Sequence, residues 1–122
     1  RRNATFSSGQ PRRAGRPITK EWWTVSEPSW VEFRLWREGM THALDGGLWL
    51  HRFTLRSEPW AHLVSADRAL LLEAGVRLGL SPSWLQYKPL RYPPSRVRVE
   101  AWHWDLRGKF LQRAIALAGP RR

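Results

Sequence analysis

The spacing of apolar positions divides the chain into alternating stretches, two helical stripes and proline-broken connections. Val31, Phe33 and Leu35 alternate with Glu32, Arg34 and Arg37, a period of two that predicts a half-buried strand over residues 30–37. Gly39 and Asp45-Gly46-Gly47 read as turns. Residues 48–56 alternate again, with Trp49, His51, Phe53 and Leu55 on one face and Arg52, Thr54 and Arg56 on the other, and the two stretches together predict a hairpin or part of a small antiparallel sheet. Pro59 interrupts, and residues 60–64 read as a short buried strand carrying His62.

The period then changes. Leu70, Leu71, Ala74 and Leu78 form a helical stripe that Gly79 can end, with Ser65 as its expected cap and Asp67 in its first turn. Ser81-Pro82 opens a turn or one-turn helix presenting Trp84, Leu85 and Gln86. Pro89, Pro93 and Pro94 make residues 88–96 an extended, basic, exposed loop. Val97, Val99 and Ala101 predict a further strand. Asp105 is placed to cap a last helix whose buried stripe is Phe110, Leu111, Ala114, Ile115 and Ala118, ended by Gly119-Pro120. No internal repeat is visible. The pattern predicts an α+β fold: a small antiparallel or mixed sheet with two packed helices, forming one domain over residues 21–122.

Residues 1–20 do not share this patterning. They are rich in Arg, Ser, Gly and Pro, with Phe6 and Ile18 the only large apolar groups. Such a segment buries too little surface to offset its ordering entropy, so an extended basic arm that orders on a partner is expected. Asn3-Ala4-Thr5 fits a glycosylation sequon, a pattern too common by chance to indicate secretion. The chain shows no leader-like segment and no apolar run near the roughly 20 residues that cross a bilayer. A cytoplasmic protein without membrane partners is expected.

Charge sharpens this division. The 122 residues hold 21 Lys and Arg against 10 Asp and Glu, a formal net charge of +11. Residues 1–20 carry +6, residues 21–84 carry −2 and residues 85–122 carry +7. A near-neutral middle between two basic ends suits a folded unit that meets a polyanion, because clustered cations attract phosphate and release its counterions. Arg outnumbers Lys by 18 to 3, which favours planar, bidentate phosphate contacts and stacking. Nine Trp are too many to bury easily in one small core. The absence of Cys removes disulfides, thiolate metal sites and Cys nucleophiles.

Two sets of residues carry candidate chemistry. The broader set would bind nucleic acid through phosphate contacts and base stacking: Arg12, Arg13 and Arg16 in the arm; Lys88, Arg91, Arg96 and Arg98 in the proline-rich region; Arg107, Lys109 and Arg113 on the last helix; and Trp84, Gln86, Tyr92 and Trp102 among them. The same cations and rings can instead pair with each other inside a small domain. The narrower set is His62, His103 and Asp105, which as a cluster would act as acid and base or bind a divalent ion. Asp105 has a complete explanation as a helix cap and Asp67 as a first-turn residue, and that structural explanation is preferred. No local ligand pattern, Gly-rich phosphate loop or nucleophile elbow occurs, so no metal ligand or cofactor is assigned.

The order Ala61-His62-Leu63, Leu78-Gly79, Trp84-Leu85-Gln86 and His103-Trp104-Asp105 before an Ala-rich helix resembles the bacterial and phage family catalogued as domain of unknown function 4031, over roughly residues 58–119. His62, Trp84, Gln86, His103 and Asp105 match that family's motif positions. Where the family has a Lys-Arg pair near the start of the last helix this chain has Phe110 and Leu111, with Lys109 and Arg113 one step away. The family's opening strand ends in paired Asp; its nearest counterpart here, residues 49–53, lacks them. The resemblance implies a small α+β domain with a polar His/Asp/Gln cluster. The +6 and +7 charge blocks with their adjacent aromatics make a non-enzymatic binder of DNA, RNA or a nucleoprotein assembly the leading expectation. Its rivals are a small His/Asp hydrolase or nuclease, with or without a metal, and a structural component of a larger particle.

Overall fold

A computed structural model describes residues 29–122; the basic arm, with Arg12, Arg13 and Arg16, lies outside them. Helix α1 spans Trp36–Leu44, strand β1 Trp49–Leu55, strand β2 Glu58–Ser65 and helix α2 Arg68–Leu78. A single 3-10 turn at Pro82–Trp84 leads into β3, Gln86–Tyr87, and then β4, Leu90–Arg91. Strand β5, Arg98–Val99, strand β6, Trp102–Leu106, and helix α3, Gly108–Leu117, complete the fold. The main sheet is antiparallel in the order β1-β2-β6-β3, and β4 and β5 form a separate two-stranded ribbon. The expected α+β class is thus what the described residues adopt, with three α-helices among them in place of two. No helix among the described residues is long and apolar enough to cross a membrane.

Strand alternation sends apolar side chains to both faces of the sheet. Leu50, Ala61, Leu63, Trp104 and Leu106 face α2 and α3, where Leu71, Ala74, Leu78, Leu111 and Ala114 complete one core. Trp49 and Val64 face the other way and pack with Met40, Ala43 and Leu44 of α1 and with Ala101, while Leu90, Tyr92 and Val99 of the ribbon border them. This second cover is partial, and the uncovered part of that face holds the polar cluster described below.

A glycine seats a helix on each face. In α2, a Cβ built at Gly75 would overlap the indole of Trp104, and that indole N–H donates to the carbonyl of Leu71 at 2.8 Å. In α1, a Cβ at Gly39 would overlap the indole of Trp49. The expected strand over residues 30–37 and the turn at Gly39 are therefore corrected. Only Val31 bridges to Trp49, Leu35 is exposed, and Gly39 lies inside a helix whose buried stripe is Gly39, Met40, Ala43 and Leu44. The physical reason is the close approach: Gly39 is needed for helix-to-sheet contact, not for chain reversal.

Other expectations are corrected by local hydrogen bonding. The cap of α2 is Asp67, whose carboxylate accepts from the Leu70 N–H at 3.0 Å; Ser65 is buried and its hydroxyl accepts from the Asp67 N–H. Pro59 does not interrupt β2 but pairs with Thr54. The Leu50 N–H points outward to Val31, so by alternation the nitrogen of Pro59 points away from β1, and β6 pairs with β2 only from Ala61 onward; no ladder bond is lost. Arg56 and Ser57, both at positive φ of 52 and 66, make the two-residue reversal of the β1–β2 hairpin, a type I′ geometry reached without Gly or Asn. The strand expected from Val97 onward breaks into β5 and β6, and the loop expected over residues 88–96 contains β4. Asp105 is not a cap: β6 runs to Leu106, and α3 starts at Gly108 after Arg107, which caps nothing with its side chain.

Gly75→Ala weighs two opposed effects. Alanine favours a helix by about 1 kcal/mol over glycine, whereas a methyl forced against Trp104 costs about 1–3 kcal/mol and threatens the indole hydrogen bond as well. The expected result is a net loss of about 1–3 kcal/mol with a red-shifted Trp emission, read from urea unfolding; equal or higher stability would show that the indole has room to move.

Candidate active site

Cross-strand register builds a cluster on the partly covered face. His51 of β1 lies opposite His62 of β2, which lies opposite Asp105 of β6. One step along, His103 of β6 sits between Val64 and Gln86 of β3. His103 and Asp105 share a face because they are two residues apart in one strand. Sequence-distant His62 reaches them because β2 is their neighbour in the sheet.

The three expected catalytic residues converge. One oxygen of Asp105, Oδ1, is 3.2 Å from His62 Nε2 and 3.4 Å from His103 Nε2, and the two imidazole centroids are 4.9 Å apart, edge to face. The other carboxylate oxygen, Oδ2, accepts from the Gln86 amide at 2.6 Å. Gln86 therefore fixes the rotation of the carboxylate and turns Oδ1 toward the imidazoles. The group opens to solvent through a cleft of about 490 Å³, also bordered by Trp36, His51 and Lys88; the side chains of His62 and Asp105 are 38% and 37% exposed, that of His103 14%.

This donor set suits a divalent ion. Ligand atoms bound tetrahedrally at about 2.0–2.1 Å lie about 3.3 Å apart, close to the observed 3.2 and 3.4 Å, and one donor atom from each of the three residues falls within 4.8 Å of the others. Two imidazoles and a carboxylate from one side leave positions free on the other. A coordinating imidazole must be neutral, and burial, with His103 and Lys88 nearby, holds His62 below its ordinary pKa of 6.5 despite Asp105. Burial does the same to His103, again against Asp105 and with help from Lys88. His51, stacked on Trp49 at 4.8 Å, is also lowered by burial.

Among the described residues, members of the broader expected set make separate local contacts. Lys88 borders the cleft, and Arg91 and Arg98 face each other across the β4–β5 ribbon beside it. The Arg91 guanidinium also donates to the carbonyl of Arg96, which occupies the ribbon's turn at a φ of 65. Tyr92 donates to Asp45, a bond that raises its hydroxyl pKa. Arg107 lies over Trp60 at 5.2 Å and 3.9 Å from Glu58. Arg113 donates to the Leu78 carbonyl at 2.8 Å, tying α3 to the end of α2. Lys109 and Arg113 both lie over Phe110, whose ring meets Trp84 edge-on, and Trp102 tilts against Tyr87. Gln86, expected to contact nucleic acid, donates to Asp105.

His51 and Trp36, which also line the cleft, are not among the candidate residues read from sequence. The alternation over residues 48–56 already put His51 and Trp49 on one face, but nothing in Arg56-Ser57 fixed the hairpin register that brings His51 opposite His62. Trp36 was lost because its helix was read as a strand.

Four histidines, His42, His51, His62 and His103, have pKa values lowered in the folded chain, mainly by burial. Their unfolded forms take up protons near pH 6.5 while the folded forms resist until lower pH. The unfolded state then binds more protons, and stability is complete above about pH 6.5 and falls as pH drops below it. In chelator, the urea midpoint at pH 5 is expected below that at pH 7.5, with His51→Gln flattening the dependence; a midpoint independent of pH would contradict the burial of these rings.

No protein family, curated protein or solved structure matches this chain, and the family resemblance rests on the order of the quoted residues alone.

Proposed function

We propose that this chain is a small divalent-metal-dependent hydrolase of phosphodiesters, acting on nucleic acid in the cytoplasm. The observation that carries the reading is the meeting of His62 Nε2, His103 Nε2 and Asp105 Oδ1 at metal-ligand spacing in an open cleft. His62, His103 and Asp105 are the ligands, and Gln86 is the residue that orients the carboxylate. A cation held there would supply a bound water of lowered pKa. Lys88 would offset charge on a phosphodiester in the cleft, whose hydrolysis joins the water oxygen to phosphorus, breaks the ester P–O bond and releases the alcohol with the proton of that water. The kinship with the family of unknown function is part of the same proposal, since its motif positions include these four residues.

Calorimetric titration with Zn²⁺ and Mn²⁺ tests the site. The wild type is expected to bind one equivalent, His103→Ala and Asp105→Ala to lose about 100-fold or more in affinity, and Gln86→Ala about 10–100-fold. Cleavage of DNA or RNA is expected to vanish in chelator and in His103→Ala while nucleic-acid binding persists. A wild type that takes up no cation would end this reading.

A binding role without cleavage is supported by a different observation. Arg91 and Arg98 are directly opposed on β4 and β5, a like-charge pair that costs stability unless an anion lies over it. The block over residues 85–122 carries nine cations against two anions. Arg91→Ala with Arg98→Ala is expected to weaken binding of all sequences alike and to lower the slope of log affinity against log salt by about 2. A loss confined to one sequence would point to base reading at the ribbon instead.

A further inference from the structure

The cleft holds more than the ligand cluster. Trp36 opens helix α1 and is 56% exposed, although a Trp at the surface of a small domain normally covers its ring. Its indole stands edge-on to Trp49 at 6.2 Å, and Trp49 is stacked on His51. Trp49 itself is buried and held against Gly39, so the aromatic support beneath Trp36 is rigid. Lys88 and the His62, His103 and Asp105 cluster border the same cleft. One concave site thus joins an aromatic platform, a cation and a metal-type donor set.

From this juxtaposition we propose, building on the hydrolase reading, that the cleft takes an unpaired nucleotide, its base on Trp36 and its phosphate between Lys88 and the His62, His103 and Asp105 cluster. Each element matches one part of that ligand. A base presents a π-face to stack on an indole, and the phosphate is the anion that Lys88 attracts. The volume of about 490 Å³ is that of a small-ligand site. A base within a duplex has both faces covered by its neighbours and cannot reach Trp36 without leaving the stack. The substrate class is therefore single-stranded nucleic acid or a free nucleotide, and duplex is disfavoured.

The test compares four probes by competition binding: a short single-stranded oligonucleotide, its duplex, an abasic sugar-phosphate oligomer of equal length, and a nucleoside monophosphate. Each is measured with Mn²⁺ and again in chelator. Phosphate contacts made elsewhere on the chain cancel between the single-stranded and abasic probes. The single strand is expected to bind about 10-fold or more tightly than the abasic chain and more tightly than duplex. Trp36→Ala is expected to erase the advantage over the abasic chain and Trp36→Phe to restore most of it, both keeping the wild-type Mn²⁺ affinity. Binding of the monophosphate at least as tight, per site, as that of the oligonucleotide would identify the free nucleotide as the source, and tighter oligonucleotide binding the single strand. Equal affinity for abasic and base-bearing chains, or a preference for duplex, would overturn the inference while leaving the metal site intact. Loss of Mn²⁺ binding in the wild type would instead remove the hydrolase reading, and the base preference in chelator would still be read.

Discussion

The contact between Trp104 and the backbone of α2 governs the rest of the structure. An indole is the largest side chain a sheet can offer to a helix, and at ordinary helix-to-sheet separation its N–H would be buried without a partner, at a cost of about 1–3 kcal/mol. Gly75 removes that conflict. With no side chain at that position the ring lies directly on the helix, and its N–H reaches the Leu71 carbonyl. Gly39 and Trp49 repeat the close approach on the opposite face. Because Trp104 is flanked by His103 and Asp105 in β6, seating its ring on one side of the sheet commits both neighbours to the other. The position of the polar cluster is a consequence of core packing.

That consequence gives the cluster its geometry. In a strand, residues two apart project in parallel, and the cross-strand neighbour stands close by, so His103, Asp105 and His62 are brought together by pleat and register without a specialised loop. Loops move more readily than the centre of a sheet. Strands β2 and β6 are interior to the four-stranded order, and Gln86 on the edge strand β3 fixes the carboxylate from outside. The remaining freedom is in the imidazole rings, of which His103 is the more enclosed.

Much of this was legible in the sequence where one periodicity had one explanation. The stripes of α2 and α3 and the alternation of β1 follow from the sequence, which also offers His62, His103 and Asp105 as a cluster while favouring a structural explanation of Asp105 as a helix cap. Failures occurred where a residue type serves two purposes. Gly39 marks a turn in most settings but here admits Trp49, so α1 was hidden. An Asp shortly before a helical stripe is an expected cap, but Asp105 lies one residue inside the end of β6, and the difference depends on where pairing with β2 stops. Register was beyond reach, because Arg56 and Ser57 adopt the reversal without the Asn-Gly signal that would have announced it. With register unknown, the opposition of His51 and His62 could not be derived.

The sign of the charge at the cleft bears on whether a cation belongs there. With His62 and His103 neutral, their cluster presents one carboxylate to a cleft bordered by the cation Lys88. A phosphate entering such a site meets attraction at its rim and repulsion from Asp105 at its floor. A divalent ion bound by the three residues reverses the floor from −1 to +1 and aligns it with the rim. Protonating the imidazoles would also relieve the repulsion, but burial and Lys88 oppose that protonation. Of the two ways to make this cleft receive an anion, the ion is the one that the surroundings of the imidazoles favour.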